Sequence, residues 1–330
     1  MTSPNVVLCY PVEPRHLEQF SKALPELNFV DAGQEEIGVK IFNADIFVGH
    51  AKVPVDWDAV VQAGRLRLIQ SSAAGLDHCL VPSVIASEIP VCSASGLFAN
   101  QVGEQAFALL MGLLRSLPTF FRQAQNREFV RRPTGDLHGK RVGIVGLGGN
   151  GRRLAQLLAP WNVELRATDF YPVRKPPQVI ELWPADQLGK LAACSDILIL
   201  ALPYNSQTHQ VVSEEILSLM PQGSILINVA RGRVIDEQAL IAALETRHLA
   251  GAGLDVTYDE PLPESSPLWN LPNVIITPHV GAQAASRVDD STNLAITNLG
   301  RFLRGQRLIN IVDKSLGFPH PDDMAINLSI

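Results

Sequence analysis

RVGIVGLGGNG, residues 141–151, reads as a strand running into a glycine turn and then a helix. Val142, Ile144 and Val145 form a short apolar run suited to a buried parallel strand, and Arg152 to Ala159 has helical composition. At such a corner Gly146 makes the tight turn, Gly148 lets the backbone approach a pyrophosphate, and Gly151 lets helix and strand pack closely. Gly149 and Asn150 complete the loop. The pyrophosphate then rests on the helix N-terminus, whose backbone N–H groups lack intrahelical partners. Asp169 follows a second apolar run, Val163 to Ala167, and stands 18 positions beyond Gly151, where a carboxylate can accept from ribose hydroxyls. A carboxylate about 4 Å from a 2′-phosphate repels it by roughly 4 kcal/mol at an effective dielectric near 20. The expected cofactor is therefore NAD in preference to NADP, with Arg174 and Lys175 leaving some room for the phosphate.

Outward from this motif the chain alternates strand and helix. Before it come strand-like runs at 6–10, 46–50, 66–75 and 90–94, with a helix from about Arg15 to Leu24. NQVGEQAFALLMGLLR, 100–115, is apolar on most faces and reads as a buried crossover helix between two domains. After the motif, strands are expected at 196–203, 223–230, 249–256 and 273–279, rich in Ile, Leu, Val and Ala as in a parallel sheet covered on both faces. A last helix, about Ala284 to Arg304, precedes LINIV at 308–312, as if the chain returned to its first domain. The expected fold class is α/β: a Rossmann-type doubly wound parallel sheet at 100–284, plus a second, discontinuous flavodoxin-like α/β domain from 1–99 and 285–330.

With 330 residues and 46% hydrophobic composition the chain can fill two cores. A net charge of −6 gives no basic excess for nucleic acid. The longest apolar run, Phe107 to Leu114, contains Gly112 and stops at Arg115, far short of a membrane span. The N-terminal MTSPNVVLCYPVEP has no basic segment followed by an apolar one, so no secretory signal is expected. Cys9, Cys79, Cys92 and Cys194 are scattered without metal-ligand spacing, as suits buried free thiols in a reducing cytoplasm.

Three ionisable residues sit just beyond strands of the nucleotide domain: Arg231 in NVARG, Glu260 in YDEP and His279 in TPHVG. Ligands collect at the carboxyl ends of strands in doubly wound sheets, so these groups can converge on one cleft. An arginine can hold a substrate carboxylate through paired hydrogen bonds and polarise the adjacent carbonyl. A histidine can donate the proton a new alkoxide needs, and a neighbouring carboxylate favours imidazolium and raises the imidazole pKa above about 6.5. Taken one at a time, each is an ordinary surface or loop residue; their recurrence after successive strands is what points to hydride transfer.

These stretches, together with SAAGLD at 72–77, VGE at 102–104, LHGKRVGIVGLGGNG at 137–151, LPYNSQT at 202–208, INVARGRVID at 227–236, GLDV at 253–256, DEP at 259–261 and TPHVG at 277–281, resemble the D-isomer-specific 2-hydroxyacid dehydrogenase family along nearly the whole chain. The resemblance places that family's catalytic arginine, glutamate and histidine on Arg231, Glu260 and His279. It implies that the backbone amides of Ala74 and Gly75 meet the substrate carboxylate and that Asp255 holds the nicotinamide carboxamide. Pro203, Val229, Ala230, Arg231, His279 and Gly281 would line the cofactor channel, with Asn100 bordering the nicotinamide. Two departures stand out: Gly149-Asn150 replaces an Arg-Ile pair, leaving Arg152 or Arg153 to approach the pyrophosphate, and a customary Trp is missing from REFVRRPTGDL. The resemblance implies a cytoplasmic homodimer acting on a small-molecule substrate, without nucleic-acid or membrane partners. The rival reading is an NAD(H)-sensing binding protein of the corepressor type with little turnover.

Overall fold

Runs of Val, Ile and Leu become the strands of two parallel sheets in the computed structural model, which describes residues 3–324. The chain divides into two units, one running up to Phe98 and resuming at Ala284, the other comprising Ala99–Gln283. Each junction falls one residue from the boundary read in the sequence; the long helix begins at Ala99 and not at Asn100.

The first unit holds β1 (Asn5–Cys9), β2 (Asn28–Asp31), β3 (Ile46–Gly49), β4 (Leu68–Ser71) and β5 (Val91–Cys92), in the order β2-β1-β3-β4-β5. Both faces are buried. Val7, Phe47, Ile69 and Val91 pack on one side, while Val6, Leu8, Ile46, Val48 and Leu68 pack on the other, which is why these strands read as continuous apolar runs and not as alternating ones. The C-terminal helix Arg287–Leu303 lays Ala295 and Leu299 on the second face. Buried Asn298 fixes the return: its Nδ2 donates to Gln70 Oε1 (2.6 Å) and to the Ile309 carbonyl (2.8 Å), and its Oδ1 accepts from the Ile309 N–H (2.8 Å). The expected run at 90–94 shortens to β5, and 66–75 to β4, because the residues after each turn away into loops. LINIV adds an antiparallel bridge from Ile311 to Cys92, and Val312–Asp313 pairs with Phe318–Pro319.

The second unit holds β6 (Arg141–Val145), β7 (Glu164–Asp169), β8 (Val179–Pro184), β9 (Ile197–Leu200), β10 (Ser224–Asn228), β11 (Leu249–Leu254) and β12 (Val274–Ile276). Their order is β12-β11-β10-β9-β6-β7-β8, all parallel, with the reversal between β6 and β9. Helix Ala99–Leu114, with Val102, Ala106, Leu109 and Leu110 buried, packs on β10 and β11, where Leu109 lies against Gly253. Each fully buried Leu, Ile or Val contributes roughly 1.5–3 kcal/mol. Among the described residues no helix is long and apolar enough to cross a membrane.

Candidate active site

The glycine stretch folds as strand, turn and helix: β6 ends at Val145, Gly146 takes φ +92°, and the helix Gly149–Leu158 follows. A Cβ at Gly151 would lie 2.0 Å from the Gly146 carbonyl oxygen, so only glycine lets the helix start this close to the turn. Asp169, the last residue of β7, accepts from the Leu147 N–H through Oδ2 (2.6 Å) and from the Tyr171 N–H through Oδ1 (3.0 Å). The carboxylate's four acceptor positions are not used up by these amides and that of Phe170, which leaves room for a ribose hydroxyl. Burial raises its pKa, against the pull of those amides and of Arg152. Arg152 donates to the Arg174 carbonyl (3.0 Å), and Arg153 to Gln156 Oε1 (3.2 Å). Burial lowers the Arg152 pKa, opposed by the charge of Asp169.

Beyond β10 the chain makes a tight turn organised by Asn228, which is fully buried. Its Oδ1 accepts from the Ala230 N–H (3.0 Å) and its Nδ2 donates to the Arg231 carbonyl (3.0 Å), so Val229, Ala230 and Arg231 wrap around one side-chain amide. Gly232 comes next, and a Cβ there would lie 1.9 Å from the Thr257 carbonyl, so the β10 turn seats against the segment following β11 only with glycine. The Arg231 Nη1 donates to the Ala230 carbonyl (2.8 Å).

Beyond β11, Asp255 is 3% exposed and gathers the TPHVG loop onto itself. Its carbonyl accepts from the His279 N–H (2.8 Å), Oδ1 from the Val280 N–H (3.0 Å) and Oδ2 from the Gly281 N–H (2.8 Å), while Thr277 Oγ1 donates to Oδ1 (2.6 Å). These bonds hold His279 at φ +53°, a left-handed conformation that costs a non-glycine residue roughly 1–2 kcal/mol. Glu260 reaches the same place from the DEP segment, where its Oε1 accepts from the Thr257 N–H (3.3 Å). His279 Nδ1 and Glu260 Oε2 are 2.7 Å apart, with both side chains about two-fifths exposed. Burial works to raise the Glu260 pKa, but the His279 hydrogen bond and charge, the Thr257 amide and the Arg231 charge outweigh it and hold the carboxyl below its ordinary value. An ionised carboxylate accepts the Nδ1 proton, so Nε2 is the imidazole atom left to exchange a proton with a ligand.

Among the remaining expected residues, Ala74 and Gly75 lie in the first unit on the loop after β4, where Ser71 Oγ accepts from the Ala73 N–H (3.0 Å) and Ala74 is exposed. In the second unit, Asn100 is exposed on the first turn of its helix, and the Pro203 carbonyl accepts from Thr208 Oγ1 (2.8 Å). Val229, Ala230 and Gly281 are buried. Asn228, Thr277, Gln105 and Gly232, which organise these turns, carry no comparable signal in the sequence. Their types signal nothing in isolation; only the strand-end position of Asn228 and the Arg-Gly pair gave a hint.

The family model for the D-isomer specific 2-hydroxyacid dehydrogenase NAD-binding domain matches residues 107–281. The chain belongs to the D-isomer specific 2-hydroxyacid dehydrogenase family. The matched segment of this dehydrogenase-family chain contains the glycine turn, Asp169, Arg231, Glu260 and His279. A glyoxylate reductase of Pyrococcus furiosus is 31% identical over 293 residues, 86% of each chain. A D-3-phosphoglycerate dehydrogenase of Methanocaldococcus jannaschii is 28% identical over 307 residues, which span 91% of this chain and 58% of that one. A crystal structure of a D-isomer specific 2-hydroxyacid dehydrogenase from Xanthobacter autotrophicus Py2, in complex with NADPH and MES, matches with a TM-score of 0.81 at 28% identity over 96% of this chain and 100% of that chain.

Proposed function

We propose that the protein is an NAD-dependent oxidoreductase moving a hydride between nicotinamide and C2 of a small 2-keto or 2-hydroxy acid of D configuration. The observation that carries this reading is the 2.7 Å contact of His279 with Glu260, close enough to Arg231 for its charge to act on the glutamate, inside the segment that matches the NAD-binding domain. The chain's residues fit a dinucleotide: a glycine corner that any Cβ at residue 151 would block, a helix start behind it, and a carboxylate with spare lone pairs at the end of β7. When bound, the dinucleotide supplies or takes the hydride.

The protein's own groups do the rest. The Arg231 guanidinium binds the substrate carboxylate, which orients the carbonyl carbon and polarises its oxygen. Nε2 of His279 gives its proton to that oxygen in reduction and removes it in oxidation. Glu260 accepts from Nδ1–H and holds the ring in one tautomer, with Nε2 free to face the substrate. Asn100, Pro203, Val229, Ala230 and Gly281 line the nicotinamide, and Asp255 keeps one Oδ2 lone pair for its carboxamide. Gly146, Gly148, Gly149, Asn150 and Gly151 cradle the pyrophosphate. Asp169 supports NAD over NADP by repelling a 2′-phosphate. A cytoplasmic homodimer belongs to the same proposal, supported by the exposed Phe121 and Phe129 of the second unit and checked by sedimentation.

The test is turnover. NADH and NADPH are each mixed with glyoxylate, hydroxypyruvate and larger 2-keto acids, and loss of reduced-nicotinamide absorbance is followed. The proposal expects oxidation with at least one acid and faster use of NADH. Tight NADH binding without oxidation by any acid contradicts it and favours a sensor.

A further inference from the structure

Helix Ala99–Leu114 sends one polar side chain into the network beneath the His279 loop. Gln105 Nε2 donates to Thr277 Oγ1 (2.8 Å) and lies 3.4 Å from Asp255 Oδ1, while Thr277 Oγ1 donates onward to Asp255 Oδ1 (2.6 Å). Proton direction along this chain is forced. An amide NH₂ can only donate, so Thr277 must spend its own proton on Asp255, and Asp255 is left as acceptor of that hydroxyl and of the Val280 and Gly281 N–H groups. The network therefore has one arrangement and not several.

Its output is the conformation of one residue. His279 sits at φ +53° between Thr277, whose carbonyl accepts from the His279 N–H (2.9 Å), and Val280 and Gly281, whose N–H groups close on Asp255. Loss of the Gln105 to Thr277 to Asp255 relay frees the loop to relax toward ordinary φ, and a swing of the backbone at residue 279 carries the imidazole away from Glu260. Resting on the proton-donor reading of His279 above, we infer that Gln105 and Thr277 are positioning residues for proton transfer, acting through Asp255 to hold the His279 ring against Glu260. A catalytic group misplaced by about 1 Å can cost on the order of 10²-fold, so removal of one relay member should show in kcat and not in binding.

The experiment compares wild type, Gln105→Leu, Thr277→Val and Thr277→Ser in the full chain. The expected result is a fall in kcat of about tenfold or more for Gln105→Leu and Thr277→Val, with the acid KM and the NADH Kd within about twofold and a larger solvent isotope effect on kcat. Thr277→Ser, which keeps the hydroxyl, should restore most of the rate. Proton NMR gives a readout independent of turnover: the low-field His279 Nδ1–H resonance, identified by its absence in His279→Ala, should broaden or move upfield in the first two variants and persist in the Ser variant. Should Gln105→Leu fail to fold, Gln105→Met keeps the length of the side chain, removes the donor, and should give the same pattern. Unchanged kcat with an unchanged resonance overturns the inference, as does a loss of NADH affinity matching the loss of kcat. If wild type turns over no acid, the proposed function fails while the resonance still decides: its persistence in Thr277→Val and in the Gln105 variant overturns the positioning role, and its loss supports it.

Discussion

Each of the two sheets reverses its strand order at one point, between β1 and β3 in the five-stranded sheet and between β6 and β9 in the seven-stranded one, and the two points are alike at one end and unlike at the other. At the amino end both use an aspartate placed just before the second strand. Asp45 Oδ2 accepts from the Asn5 N–H (2.8 Å) and pairs with Arg65 (2.9 Å); Asp196 Oδ2 accepts from the Arg141 N–H (2.9 Å), and its Oδ1 pairs with the Arg141 guanidinium (2.6 Å). At the carboxyl end the designs part. In the first sheet Gln34 fills the switch point, its Nε2 donating to the His50 carbonyl (2.9 Å) and its Oε1 accepting from the Lys52 N–H (2.7 Å). In the second, glycines leave the corner bare of side chains beneath a helix start. Topology supplies a crevice at each switch point, and local residues decide whether it stays open.

The contrast is sharpest at Gly151. Gly151→Ala sets a Cβ against a backbone oxygen and should raise the NADH Kd by about 100-fold or more, equivalent to roughly 3 kcal/mol, measured by fluorescence titration. Gln34→Ala opens the other switch point and should leave that Kd within about twofold while lowering unfolding free energy by about 1–2 kcal/mol. A loss of NADH affinity in Gln34→Ala would break the comparison.

Next in size is Glu260→Gln, expected to lower kcat by roughly 10²-fold with NADH affinity retained, because a carboxylate that can only accept from Nδ1–H gives way to a neutral amide whose NH₂ end can face the ring instead. Since the folded protein holds the Glu260 carboxyl below its ordinary value, its support is fully present above that ordinary value and disappears as pH falls through the depressed one; the acid limb of kcat should carry this loss in wild type and lack it in the variant. Asp169→Ser should narrow the ratio of kcat/KM for NADH over NADPH by about tenfold.

The smallest effect falls where the sheets agree. A backbone hydrogen bond from Asn5 and the pairing with Arg65 outweigh burial and depress the Asp45 pKa; the Arg141 hydrogen bond, against burial, depresses that of Asp196. Each contributes stability that is complete above the unfolded carboxyl value near 3.9 and lost as pH falls through the depressed folded value. Asp45→Asn and Asp196→Asn should each cost about 1 kcal/mol at neutral pH, the exposed arginines limiting the sum, and should flatten the acid side of the stability curve. A cost in only one sheet would show that the shared amino-end device is not equivalent in the two.

Much of the fold was legible because buried parallel strands leave unbroken apolar runs, as in DILIL before Ala201 and SILIN before Val229. The edge strands β2 and β8 left no such run: NFVD and VIELWP mix polar and apolar residues because each pairs on one side only and meets solvent. The glycine corner was readable because steric exclusion writes itself into residue type. Arg231, Glu260 and His279 were readable as ionisable groups beyond strand ends, and the structure brings the last two into hydrogen-bond contact. Gln105 and Thr277 were not, since a glutamine on an apolar helix and a threonine after a strand acquire meaning only through a partner distant in sequence, here Asp255.

The account turns on His279 as the group that exchanges the proton. The most direct measurement is kcat for keto-acid reduction and NADH Kd, side by side, in wild type and His279→Ala. A fall in kcat of about 10²- to 10⁴-fold with Kd within a few-fold is the predicted result. Equal losses in both, or an undiminished kcat, would contradict it.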